Sequence, residues 1–200
     1  MRPSLHYFQD TLCGWCYGFG PVMNRIAEEW ADRLDVHVYA GGMVNVLEEA
    51  YQNVERLSGI TFGDAFIHDV LAHGKLTLES VTPAKALVTF RALREHGAIP
   101  FAHRLQQALY RDGMDLSLDA TYAALANEFD LDAMEFISLM HDDRVADAVQ
   151  EEFDYVASLG IQAFPTVLYA VGDDAQLLAH GFTSYDDMTI RLQAVMGNIT

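Results

Sequence analysis

The chain has 200 residues, 51% of them hydrophobic, which is enough to bury a substantial core as one or two domains. Twelve basic against twenty-nine acidic residues give a net charge of −17; such a surface repels nucleic acid and anionic membranes and argues against both as partners. No run approaches the ~20 apolar residues of a membrane span, and the first predicted strand follows Met1 so closely that no signal peptide fits, which points to the cytoplasm.

That first strand covers residues 4–9, where the apolar run Leu5-His6-Tyr7-Phe8 leads into Thr11-Leu12-Cys13-Gly14-Trp15-Cys16-Tyr17-Gly18-Phe19. Both cysteines of the chain lie in this stretch. Val22, Ile26, Trp30 and Leu34 follow at steps of four, with Arg25, Glu28, Glu29 and Asp32 between them, so a helix is predicted over 13–33 with Cys13 at its start. Pro21 removes one helical hydrogen bond and is expected to kink it. The unpaired N–H groups of a first helical turn carry partial positive charge and favour a thiolate at Cys13. The thiolate is the reactive form. Cys16, one turn later, can attack a mixed disulfide on Cys13 and release the partner, which is thiol–disulfide exchange.

Two other readings of the pair exist, half of a zinc site or two inert buried thiols. A structural zinc site needs four ligands, and there is no second cysteine pair. His68 and His73, five apart, are one step too wide for a clean helical metal face. No metal is expected. His6 and His37 lie in predicted strands and read as packing or edge residues.

A second strand over 35–40 ends at Gly41-Gly42, and with the first strand and helix it forms a βαβ unit of parallel strands. From 44 to 158 the pattern is helical. Helices are predicted over 62–72, from the cap Thr82 and Pro83 to Gly97, and over 101–111. Ser117 is the expected cap of the next, with Leu118, Tyr122, Leu125 and Phe129 on one face, and Asp132 and Asp143 open two more, the last running to Gly160. After Leu159-Gly160-Ile161-Gln162-Ala163-Phe164-Pro165-Thr166 come strands over 166–171 and 176–180, a hairpin about Gly172-Asp173-Asp174. Ser184-Tyr185-Asp186-Asp187 is similar to a capping box and starts a final helix to about residue 196.

The two motifs together, Asp10-x-x-Cys13-Gly14-Trp15-Cys16 after the first strand and Leu159-Gly160-Ile161…Phe164-Pro165-Thr166 before a late one, resemble the thioredoxin-like superfamily and within it the DsbA family. Cytosolic DsbA-like proteins of the FrnE type and the glutathione-using hydroxychromene-carboxylate isomerases are similar in pattern. The resemblance implies an α/β, thioredoxin-like fold with an inserted all-helical domain: residues 1–43 and 159–200 as a discontinuous thioredoxin-like domain, and 44–158 as the insertion. It also implies a cis proline at Pro165 beside the sulfurs. The sequence departs from DsbA proper, which has Pro-His where Gly14-Trp15 stands, and from thioredoxin, whose buried aspartate six residues before the first cysteine is replaced by Tyr7. The isomerases usually carry serine at the position of Cys13.

The expected function is that of a protein disulfide oxidoreductase or isomerase. Cys13 is the nucleophile and Cys16 the resolving thiol, while Trp15, Phe164, Pro165 and Thr166 line the substrate groove. Asp10 is either a proton relay or a turn residue, and Trp15 either an exposed grip for apolar substrate or a structural side chain. No cofactor beyond the cysteine pair is expected. The partners are protein or peptide thiols and disulfides, with glutathione as the small-thiol alternative. Two rival functions stand beside this one: a glutathione-dependent small-molecule isomerase, and a non-catalytic peptide-binding chaperone or adaptor.

Overall fold

The computed structural model describes residues 2–42, 51–72 and 79–197. Strand β1 (Ser4–Gln9) feeds helix α1 (Gly14–Glu29), which returns the chain to β2 (Asp35–Ala40). The two strands pair in parallel, with Ser4 opposite Asp35 and Gln9 opposite Ala40. Much later, β3 (Thr166–Val171) pairs antiparallel to β1, and β4 (Asp174–His180) completes a mixed sheet of order β2-β1-β3-β4. Gly172, with φ of 62°, supplies the left-handed residue of the β3–β4 turn. The register of β3 against β4 shifts between Val167 and Leu168. Next to that bulge the adjacent Leu178 and Ala179 are both buried, since a bulge alters the alternation of side chains along a strand.

Between β2 and β3 lies the helical insertion: α2 (Tyr51–Ser58), a π-wound turn (Phe66–Leu71), α3 (Val81–Leu93), α4 (Ala98–Tyr110), α5 (Asp119–Glu128), α6 (Ala133–Met140) and α7 (Asp143–Ser158). Helix α8 (Tyr185–Gly197) closes the chain. The thioredoxin-like fold with a helical insertion is therefore as the motifs imply. The expected boundary at 43/44 falls outside the described residues. Helix α1 packs against α4, α2 and α8, and both α4 and α7 reach β2. Tyr17, Phe62, Phe66 and Tyr110 form the aromatic joint between the cysteine-bearing helix and the insertion, with ring centroids 4.9–5.7 Å apart.

Several local expectations are corrected. Helix α1 stops at Glu29 rather than 33, with the exposed Pro21 inside it. The short helix α2 was not legible as a periodic run. The predicted helix over 62–72 is confined to a shorter stretch that ends in π-type winding, with Ala72 N–H bonded to Ile67 O. Helix α3 begins before Thr82: the Glu79 carboxylate accepts from the N–H groups of Val81 and Thr82, so an acid ahead of the helix does the capping. It ends at Leu93, and Gly97 instead precedes α4, with φ of 94°. Pro100 lies in the first turn of α4, where its missing N–H leaves no helical bond unmade. Ser117 does not cap α5; its hydroxyl donates to Asp115, and Leu118 occupies the cap position with its side chain 52% exposed. Asp142, one residue before Asp143, caps α7. Asp132 and the Ser184–Asp187 pair cap α6 and α8 as expected.

Candidate active site

The site is assembled where β1 turns into α1. The Asp10 carboxylate accepts from Leu12 N–H at 2.8 Å, bending the chain back on itself, and Cys13 N–H reaches the Asp10 carbonyl at 3.2 Å. The Tyr110 hydroxyl, from α4, donates to the Leu12 carbonyl. The turn is thus gripped from both sides, and it delivers Cys13 to the cap position of α1 in extended conformation, φ −90° and ψ 107°. The Cys13 sulfur accepts from Cys16 N–H at 3.4 Å, standing where a capping oxygen usually does. Asp10 is fully enclosed and also accepts from the Ser80 hydroxyl at 2.9 Å. The turn role expected of it is therefore present.

The second motif meets the first. The Phe164–Pro165 bond is cis, as the resemblance implies, and the Cys13 thiol donates to the Phe164 carbonyl at 3.4 Å. The Pro165 carbonyl accepts from Gly181 N–H at 2.8 Å, and the Thr166 hydroxyl donates to Ala163 O at 2.7 Å. Thr166 is buried, and its hydroxyl holds the loop internally. The Phe164 ring lies over Gly41, where a Cβ would come within 2.0 Å of it. Trp15 is half-buried against the core rather than projecting freely.

Both thiols are free and both are buried, Cys13 at 5% exposure and Cys16 at 0%. Their acidities diverge. A hydrogen bond from Cys16 lowers the pKa of Cys13 against the opposing effect of burial, with help from the N–H groups of Cys16 and Trp15. Burial raises Cys16 well above the ordinary thiol range, and the neighbouring Cys13 pushes it further. One sulfur is primed to be a thiolate and the other to stay protonated.

Sequence reasoning missed a polar layer under the pair. The Gln106 amide donates to Gln9 Oε1 at 2.8 Å and to the Asp10 carbonyl at 3.4 Å. His103 faces Gln106 Oε1 through Nδ1 at 3.4 Å and accepts from the Gln107 amide at Nε2, 3.2 Å away. Burial pushes the His103 pKa down to about 4, so the ring is neutral with its proton on Nδ1. The clue available in sequence was the polar run His103-Arg104 and Gln106-Gln107 inside a helix whose flanks are apolar. His6 and His37 pair across β1 and β2, rings 5.3 Å apart, as packing residues. His73 lies outside the described residues, and among those described no cluster of three or more metal-ligating side chains occurs.

Residues 4–193 match the family described as the DSBA-like thioredoxin domain. Solved structures of similar fold include a candidate protein disulfide isomerase from Nitrosomonas europaea, with TM-score 0.89, 23% identity and full coverage of both chains. The cytosolic disulfide reductase DsbM from Pseudomonas aeruginosa gives TM-score 0.83 at 24% identity, covering 98% of this chain and 99% of that one. Among curated proteins, the ClpXP adapter protein SpxH of Shouchella clausii is 21% identical over 83% of this chain. The chain spans only 57% of that relative's length.

Proposed function

This chain belongs to the DSBA-like thioredoxin domain family, and from that premise we propose that it is a thiol–disulfide exchange enzyme acting through Cys13 and Cys16. The observation that carries the reading is the contact of the Cys13 sulfur with both the Cys16 N–H and the Phe164 carbonyl, one helical turn from Cys16, and the opposed acidities of the two sulfurs support it. In the reducing direction, the Cys13 thiolate attacks a substrate disulfide. A Cys13–substrate disulfide forms, and the first substrate sulfur leaves and takes up a proton. Cys16 then attacks the Cys13 sulfur, its proton passing to the second departing thiolate. The substrate gains two electrons and the cysteine pair becomes a disulfide. Two equivalents of a small thiol such as glutathione restore the reduced pair and leave as their own disulfide. Asp10, beneath the turn, is the proposed route for the Cys16 proton. Trp15, Phe164 and Pro165 border the opening for an extended peptide, with Thr166 fixing the loop behind them.

A reducing cytoplasm suits a reductase or isomerase better than a net oxidant. No helix among the described residues is long and apolar enough to cross a membrane. The test is trapping. Cys16→Ala should accumulate mixed disulfides through Cys13, and Cys13→Ser should accumulate none; equal trapping by both variants would overturn the role assignment.

Two observations favour other readings. DsbM has also been solved with glutathione, at TM-score 0.81 to this chain, and 2-hydroxychromene-2-carboxylate isomerase shares the fold at TM-score 0.68, so a glutathione-dependent small-molecule isomerase is the second reading. Tight glutathione binding without protein trapping would favour it. The SpxH relatives support an adaptor reading, under which removal of both cysteines would leave partner binding intact.

A further inference from the structure

The floor of the cysteine pair contains a polar atom with no regular partner. Tyr7 is on β1, 2% exposed, and its hydroxyl is sealed from solvent without a hydrogen bond of normal geometry. It lies against the Cys16 sulfur and the Gln106 side chain. The two amide hydrogens of Gln106 are directed to Gln9 Oε1 and the Asp10 carbonyl. A buried hydroxyl without a partner costs about 1–3 kcal/mol, so its retention beside a reacting atom calls for a state in which the partner exists. The Tyr7 ring is fixed edge-on to Phe19, centroids 5.8 Å apart, and the hydroxyl cannot swing to another acceptor without disturbing that contact.

We propose that Tyr7 is a positioning residue for the resolving step, its hydroxyl donating to the Cys16 sulfur as that sulfur gains negative charge. This rests on the exchange reading above. In the resting pair Cys16 is a thiol and the hydroxyl has a poor acceptor. When Cys16 attacks the Cys13–substrate disulfide, the Cys16–Cys13 bond forms and the Cys13–substrate bond breaks. The Cys16 proton passes to the departing substrate thiolate. Charge on Cys16 rises along the way, and a donor within reach lowers the barrier. The groups facing Cys16 are Cys13 on its own helix, Asp10 in the turn, Tyr7 on β1 and Tyr110 on α4. The Asp10 carboxylate and Cys13 oppose a Cys16 thiolate and the Asp10 backbone favours it, and the Tyr7 hydroxyl adds a side-chain donor.

The test uses reduced full-length protein and dithiobis(nitrobenzoate), whose thiolate product absorbs visibly. Attack by Cys13 releases the first nitrothiobenzoate, and attack by Cys16 releases the second. Tyr7→Phe removes only the oxygen, and its melting temperature should stay at or above the parent's. The expected result is an unchanged first release, a second release slowed about tenfold, and a pH profile of the second release moved upward. Ultraviolet titration of Cys16 alone, in Cys13→Ser with and without Tyr7→Phe, should show the same upward move. A second release of unchanged rate overturns the inference and leaves the exchange reading standing, as does a slower release whose pH profile and Cys16 titration do not move. If the parent protein releases only one equivalent, exchange through the pair fails, and the inference with it.

Discussion

At Cys13 and Cys16 two identical thiols, one turn apart, are driven in opposite directions by position alone. Cys13 receives a hydrogen bond from the Cys16 thiol and backbone N–H groups that outweigh its burial, whereas Cys16 receives burial and the neighbouring sulfur. Iodoacetamide at mildly acidic pH should therefore label Cys13 first, and its rate should climb with pH below the ordinary thiol range. Mass mapping of the modified peptides checks the order, and faster labelling of Cys16 would reverse the assignment. Trp15 offers an optical readout, because a disulfide formed beside an indole alters its emission. Trp30, ~22 Å along the helix at 1.5 Å per residue, should contribute little. Reduction should change fluorescence reversibly, and Trp15→Phe should abolish that change. The cysteine pair at the start of a helix and the cis-proline loop were legible because each is a local pattern set by spacing. Gln106 was not, and Tyr7 was marked only as the residue standing where thioredoxin has a buried aspartate. A tyrosine in an apolar strand reads as core, and only the fold brings it beneath a cysteine nine residues later.

Helices and strands in this chain are set by contacts that their own sequences do not display. Glu79, not Thr82, supplies the side-chain cap of α3, and Asp115 takes the Ser117 hydroxyl that was expected to cap α5. Cap residues are abundant in loops, and which one faces the free N–H groups depends on how the loop is drawn in by packing. The α1–α4 contact is closer than periodicity can reveal. A Cβ on Gly20 would come within 1.9 Å of His103 Nδ1, whose ring is held at both nitrogens. Gly20→Ala should destabilise the protein by about 1–3 kcal/mol, as overpacking of a fixed interface does. Urea unfolding measures it, and an unchanged midpoint would show that His103 moves aside freely. The edge of β2 is closed in the same indirect manner. Arg91 from α3 donates to the Val38 carbonyl and pairs with Glu152 of α7, which accepts from Ala40 N–H at 2.6 Å. Two helices thereby occupy hydrogen-bonding groups that would otherwise invite another strand.

Over the whole molecule the charge of −17 and the buried His103 act on stability in different ways, and salt separates them. With twenty-nine acidic groups against twelve basic ones, self-repulsion disfavours the compact state at low ionic strength. Raising salt from about 10 mM to about 300 mM shortens the screening length several-fold, and the melting temperature should rise. A fall would mean that ion pairs such as Arg104 with Asp112 and Glu128 outweigh the repulsion. His103 is enclosed by protein and far less exposed to screening. Its pKa lies near 4 in the folded chain against 6.5 for a free imidazole, so the unfolded chain binds the extra proton as pH falls. The sign is fixed: stability is fullest above about 6.5, declines as pH drops toward 4, and then levels, for a total of roughly 3 kcal/mol. Between pH 6.5 and 5, above the reference range of carboxylates, this decline should persist at about 300 mM salt. His103→Gln keeps an amide in place of the ring and has no proton to gain, so its stability should be flatter across that window. Denaturant melts of both proteins at the two salt concentrations decide it. A parent and variant that lose stability in parallel would show that the acid sensitivity belongs to other groups, His6 among them, and not to the histidine under the cysteine helix.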